Sequence, residues 1–186
     1  EFVYLMLNKP AGVLTAARDK KQPTVMDLIP PELFRRGIQP VGRLDKDTTG
    51  LLLLTDDGAL AHHLLSPKHH VWKTYRAQLS APPRPGSEER FAAGVKLSDF
   101  TCLPAELHLL EDGSTPTYEV CVHEGKFHQV KRMFPCTGLR GACPVPHSVR
   151  PPFTPGRFAG GCLPLAACGG TECTVQCDKL TLGLKT

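Results

Sequence analysis

A chain of 186 residues is long enough to bury a working core and suits one domain, or one domain with a small appendage. A formal net charge of +4 permits RNA binding without demanding it, because the placement of Lys and Arg counts for more than their sum. No apolar run reaches membrane-spanning length and no charged-then-apolar leader opens the chain, which excludes a spanning helix and reads as a cytoplasmic protein.

In chain order, residues 3–7 make a short apolar strand, broken by the turn Asn8-Lys9-Pro10-Ala11-Gly12. On its residues alone, Lys9 is a solvated turn lysine. Residues 18–21 are a polar loop, and residues 25–29 a short helical piece stopped by Pro30 and Pro31. Arg35 and Arg36 then leave a basic surface patch.

The stretch PVGRLDKDTTGLLLLTDDGALAHHLLSP, from Pro40 to Pro67, carries the strongest signal. Leu51 to Leu54 are too few for a membrane span and read as a buried strand, which places Asp45 on a loop pinned by a rigid element. Asp45, Asp47 and Thr49 have the DxDxT spacing of aspartyl-phosphate phosphatases, but that motif ends an apolar strand, whereas Gly42, Arg43 and Leu44 come first here. Asp45, Asp47, Gly50 and Asp56 fall at calcium-loop positions, yet four leucines replace the oxygen ligands such a loop needs.

Asp57-Gly58 opens a helix over residues 59–65, with Leu60, Leu64 and Leu65 inward, and Ser66-Pro67 stops it. His62, His63, His69 and His70 suggest no metal site, since adjacent histidines on a helix diverge and no Cys is near. Residues 73–79 alternate as a half-buried strand with Tyr75, Ala77 and Leu79 on one face. Pro82, Pro83 and Pro85 mark residues 81–86 as a linker between two lobes, and Ser87 caps the helix that follows, with Glu88 and Glu89 in its first turn. Residues 104–110 and 117–123 form an antiparallel pair around Asp112-Gly113, so the architecture is α+β with sequential hairpins. Residues 124–134 make an amphipathic helix with Phe127, Val130 and Phe134 inward. His128 and Arg132 share the neighbouring side, and Lys131 flanks the apolar face, where a lysine needs an acidic partner.

YLMLNKPAGVLT, GRLDKDTTGLLLLTDDG, SPKHHVWKTY and GKFHQVKRMF occur in this order between Tyr4 and Phe134. Together they resemble the RsuA family of pseudouridine synthases, which modify ribosomal RNA. The resemblance implies a pseudouridine synthase catalytic fold: α+β, a mainly antiparallel mixed sheet with flanking helices, and two lobes around a central cleft. It makes Asp45 the nucleophile that helps break a glycosidic bond, lays Tyr75 against the uracil, and pairs Lys131 with Asp45. It turns Lys9, Arg43, His128 and Arg132 toward RNA, and it implies a monomer that needs no cofactor and no metal. SPKHHVWKTY and FAAGVKL look most like the small-subunit branch, favouring 16S over 23S rRNA as partner. The alternative class is a non-catalytic RNA-binding remnant.

Glu1 rather than Met suits a sequence that begins inside a longer chain; the short RNA-binding domain that usually leads the family is not among these residues, and reduced RNA affinity is the expectation. After Phe134 the resemblance stops. Residues 135–186 are rich in Pro and Gly, show no sustained period, and carry Cys136, Cys143, Cys162, Cys168, Cys173 and Cys177 without a CxxC pair. The expectation is a divergent tail, disordered or out of frame just past Phe134, which resequencing of the coding DNA across that codon tests.

Overall fold

Inward-facing leucines at every second position build the first sheet. In the computed structural model, which describes residues 2–69, 71–136, 145–148, 162–164, 172–177 and 180–185, strand β1 (Tyr4–Lys9) buries Leu5 and Leu7, and a further strand, Gly50–Thr55, buries Leu52 and Leu54. Between them in the chain lies β2 (Gln39–Pro40), which makes Gly50–Thr55 β3. β1 and β3 run antiparallel with Leu5 opposite Leu54 and Lys9 opposite Gly50. Val13, Val25, Ile29 and Ile38 close the core over this pair. The 3-10 turn Val25–Leu28 starts with a capping box in which Thr24 and Asp27 satisfy each other's backbone N–H groups.

Helix α1 (Gly58–Leu65) follows β3 and is capped by Asp57, whose Oδ1 accepts from the Leu60 N–H at 2.9 Å. Leu64 is buried, but Leu65 is 43% exposed and not an inward residue, because it lies a full helical step around from the Leu60–Leu64 face. The His63 and His69 rings stack at 4.0 Å, and His70 lies outside the described residues.

The chain divides into two compact units, Glu1–Val71 with Arg150–Thr186, and Trp72–Val149. The second is a sheet of β4 (Lys73–Gln78), β5 (Glu106–Glu111), β6 (Thr117–Val122) and β7 (Val145–Ser148), in the order β5-β6-β4-β7 and antiparallel throughout. Ala77, Leu79, Val120 and Val122 point into a core shared with Phe91 of α2 (Ser87–Ala93) and with Met133 and Phe134 of α3 (Gln129–Cys136). The proline loop 81–86 is therefore not the lobe boundary. It leaves and re-enters this one unit, since β4 before it pairs with β6 well after it, and the division falls at Val71 instead. Ser87 is the first helical residue of α2 rather than its cap. Its hydroxyl donates to the Arg84 carbonyl at 2.6 Å, and Gly86 takes the cap position at φ +79°.

Beyond Cys136 the described residues comprise β7, β8 (Cys162–Pro164), which pairs with β1, and the hairpin of β9 (Glu172–Cys177) and β10 (Leu180–Lys185). Most of the stretch expected to be disordered or out of frame lies outside the described residues. The architecture is α+β, built on antiparallel sheets. Among the described residues no helix is long and apolar enough to cross a membrane.

Gly94 ends α2 at φ +90°, and a Cβ there would sit 2.5 Å from the Cys102 carbonyl oxygen. Gly94→Ala is expected to cost about 1–3 kcal/mol in urea unfolding, more than Gly113→Ala, whose added methyl meets open space. The Asp57 carboxyl is held below its ordinary value first by the Leu60 N–H and further by the Tyr4 hydroxyl, which donates to it at 2.9 Å. A depressed carboxyl stabilises the fold above its ordinary value of 3.8 and loses that contribution as pH falls through the folded value. Stability measured by thermal melting from neutral pH down through this range should fall less steeply in Asp57→Asn than in the parent.

Candidate active site

The Asp45 loop, residues 41–49, is irregular backbone held on several sides by residues 9–15. Lys9 is not a turn residue; it ends β1 on the same face as Leu5 and Leu7 and is fully buried. Its ammonium donates to the carbonyls of Pro10 at 3.0 Å, Lys46 at 3.1 Å and Thr48 at 2.8 Å, so its three hydrogens each have an acceptor. Burial pushes Lys9 below the ordinary lysine value, while the carboxylates of Asp47 and Asp45 pull it back up. Neither sequence expectation for Lys9 matches this placement: a lysine enclosed and fully committed to carbonyls is neither solvated nor presented to RNA.

Thr15 holds the other end. Its hydroxyl donates to the Leu44 carbonyl at 2.8 Å, and the Leu44 N–H lies 3.2 Å from the same oxygen, so one side chain fixes both peptide groups of the residue before Asp45. The Gly12 N–H reaches the Lys46 carbonyl at 2.8 Å from a turn at φ +87°, and the Thr48 N–H closes a tight turn onto the Asp45 carbonyl at 3.0 Å. Thr48 is buried and Leu44 packs on the first core. Gly42, at φ +87°, lets the backbone pass beneath the Leu65 side chain. The result is a half-buried Asp45 carboxylate on a rigid loop, with Arg43 exposed two residues before it.

Tyr75, Lys131, His128 and Arg132 belong to the second unit. Tyr75 is half-buried on β4, on the face of Ala77 and Leu79, with its ring packed against the core as the alternation predicts. The helix expected over residues 124–134 begins only at Gln129. Val130, Met133 and Phe134 are its buried face, and Phe127, expected inward, is 70% exposed because it precedes the first turn. Lys131 is half-buried beside that face. Arg132 pairs with Asp99 and reaches Ser98 at 3.5 Å, an ion pair that raises the guanidinium and holds the Asp99 carboxyl low. Lys73 donates to the His123 carbonyl at 3.3 Å, and burial lowers its ammonium.

Two residues went unread in the sequence: Thr15, and Lys9 in its true role. Lys9 was detectable, since continuing the alternation of Leu5 and Leu7 by one step puts Lys9 inward, and an inward lysine demands carbonyl or carboxylate partners.

The RNA pseudouridylate synthase family model matches residues 3–135. An uncharacterised RNA pseudouridine synthase of Bacillus subtilis, YtzG, is 48% identical over 141 residues, covering 74% of this chain and 59% of that protein. Ribosomal small subunit pseudouridine synthase A of Escherichia coli is 42% identical over 138 residues, covering 73% and 58%. A crystal structure of pseudouridylate synthase matches with a TM-score of 0.70 at 37% identity, over 80% of this chain and 61% of that one. The chain thus spans about three-fifths of the length of these curated relatives.

Lys9→Met removes the ammonium and leaves three loop carbonyls to find other donors. An unfolding free energy lower by about 2–4 kcal/mol is expected from urea titration. Lys9→Arg should not restore it, because a planar guanidinium does not fit three converging carbonyls.

Proposed function

The chain belongs to the RNA pseudouridylate synthase family, and from that membership we propose that it isomerises one uridine of ribosomal RNA, in the 16S molecule, to pseudouridine. The observation that carries the reading is the Asp45 carboxylate, half-buried on a loop whose backbone is pinned by Lys9, Gly12 and Thr15 inside the matched region. Such fixed, partly desolvated placement suits a catalytic carboxylate that must act in one orientation, whether it attacks the sugar or drives departure of the base.

On this reading the uridine leaves its stack and enters the site. Asp45 promotes cleavage of the bond between ribose C1′ and N1 of the base. The detached uracil turns, C5 bonds to C1′, the C5 hydrogen departs as a proton and N1 gains one. Atoms are conserved and no electrons enter or leave, so the reaction calls for no cofactor. Tyr75 offers a ring to the uracil and a hydroxyl near the departing C5 proton. The family resemblance gives Lys131 the role of keeping Asp45 ionised and Arg43 that of meeting the backbone phosphate, and His128 and Arg132 extend the RNA contact. The protein acts as a monomer in the cytoplasm. The region from residue 1 to 134 is its catalytic domain.

Tritium release from rRNA labelled at uridine C5 tests the assignment. The parent should release tritium and Asp45→Asn should fall by at least about a thousandfold, in keeping with loss of the catalytic carboxylate. RNA affinity retained without any Asp45-dependent release would instead mark a binding remnant.

A further inference from the structure

The segment between β6 and α3 is closed by two buried polar side chains and turned outward between them. Glu124 continues the inward face of Tyr118, Val120 and Val122; its Oε1 accepts from the Leu103 N–H at 2.9 Å and its Oε2 from Gln129 Nε2 at 3.0 Å. The buried Gln129 accepts from the Lys126 N–H at 3.2 Å through its side-chain oxygen and donates its own N–H to the Lys126 carbonyl at 3.1 Å. With both ends locked, residues 125–128 are exposed.

The segment holds a flat surface of defined chemistry. The exposed Phe127 ring lies on the His128 ring with centroids 3.8 Å apart and planes 19° from parallel. His128 adopts φ +48°, the one left-handed residue other than glycine among those described, and such strain gathers at binding surfaces. Beside it the Lys126 ammonium stands 3.8 Å over the Phe100 ring, with the Arg132 guanidinium 5.4 Å from the same ring. Lys126 is 3.9 Å from the buried Glu124, and Arg132 is paired with Asp99.

A single exposed Phe is ordinary. This one is backed by a second ring, carried on a segment locked at both ends, and set among cations. We infer that Phe127, supported by His128, is a stacking platform for an unpaired base of the RNA, with Lys126 and Arg132 drawing in the adjoining phosphates. The inference rests on the proposed RNA substrate and adds a positioning residue to it. Stacking accepts any base, so the platform orders a strand rather than reading its sequence. Because the locked segment is ordered before RNA arrives, little conformational entropy is lost on contact.

The test is fluorescence anisotropy of a labelled single-stranded RNA oligonucleotide with the full chain, alongside the tritium assay. Phe127→Ala should weaken binding by roughly 5- to 100-fold, and Phe127→Trp should restore it. Lys126→Gln should reduce the slope of affinity against salt by about one phosphate contact, which Phe127→Ala leaves unchanged. In catalysis Phe127→Ala should raise KM while kcat stays the same. Equal affinity in parent and Phe127→Ala, or no affinity in the parent, overturns the platform, as does a Phe127→Ala change seen only in binding to protein. Phe127-dependent RNA binding without tritium release keeps the platform and sinks the catalytic reading; release with KM and affinity unchanged in Phe127→Ala does the reverse.

Discussion

The Asp45 loop depends on one enclosed ammonium. Lys9 converges on three carbonyl oxygens, two of them from the loop itself, at 2.8 to 3.1 Å. Carbonyl dipoles and the neighbouring Asp45 and Asp47 carboxylates offset the cost of enclosing the charge. Hydrogen bonds to an ionised donor are roughly twice as strong as neutral ones, so the contact fixes the loop more firmly than backbone pairing alone. Gly50, opposite Lys9 in the β1–β3 register, puts no side chain there to compete for the space.

The same device recurs at the end of β6. Tyr118, Val120 and Val122 face inward, and the next inward position is Glu124, buried and holding Leu103 and Gln129. In each unit an apolar strand runs out into a buried ion that grips the segment on which the candidate residues sit. Lys9 governs the backbone around Asp45, and Glu124 governs the segment carrying Phe127 and His128. Strands supply rigidity, and the terminal ion transfers it to irregular backbone that no ladder can hold.

The sheets were largely legible because alternation of apolar residues is a local property: Ala77 and Leu79, and Val120 and Val122, face inward as the spacing requires, whereas the unbroken run Leu51 to Leu54 marks a strand without saying that Leu52 and Leu54 are the inward pair. Asp45 was legible as well, since an acid before a buried strand must sit on a supported loop. What could not be read was where regular structure stops. β1 runs two residues further than the Lys-Pro turn suggested, because tertiary carbonyls make Lys9 an inward residue. α3 starts later than its amphipathic pattern suggested, because the Glu124–Gln129 contact fixes its first turn and leaves Phe127 outside. Prolines at 82, 83 and 85 looked like a domain linker, yet the strand pairs on either side belong to one sheet. Each miss concerns a partner distant in sequence, which periodicity does not report.

The order of synthesis gives the Lys9 clamp a further meaning. Lys9, Gly12 and Thr15, the loop they hold, and the buried residues Leu5 to Leu54 of the first core all precede Thr55 in the chain. The Asp45 loop and its supports therefore leave the ribosome before any residue of the second unit emerges. Domains tend to fold from the N-terminal side as the chain emerges. The nascent protein can settle the geometry of the Asp45 loop before the strand and helix carrying Tyr75 and Lys131 emerge.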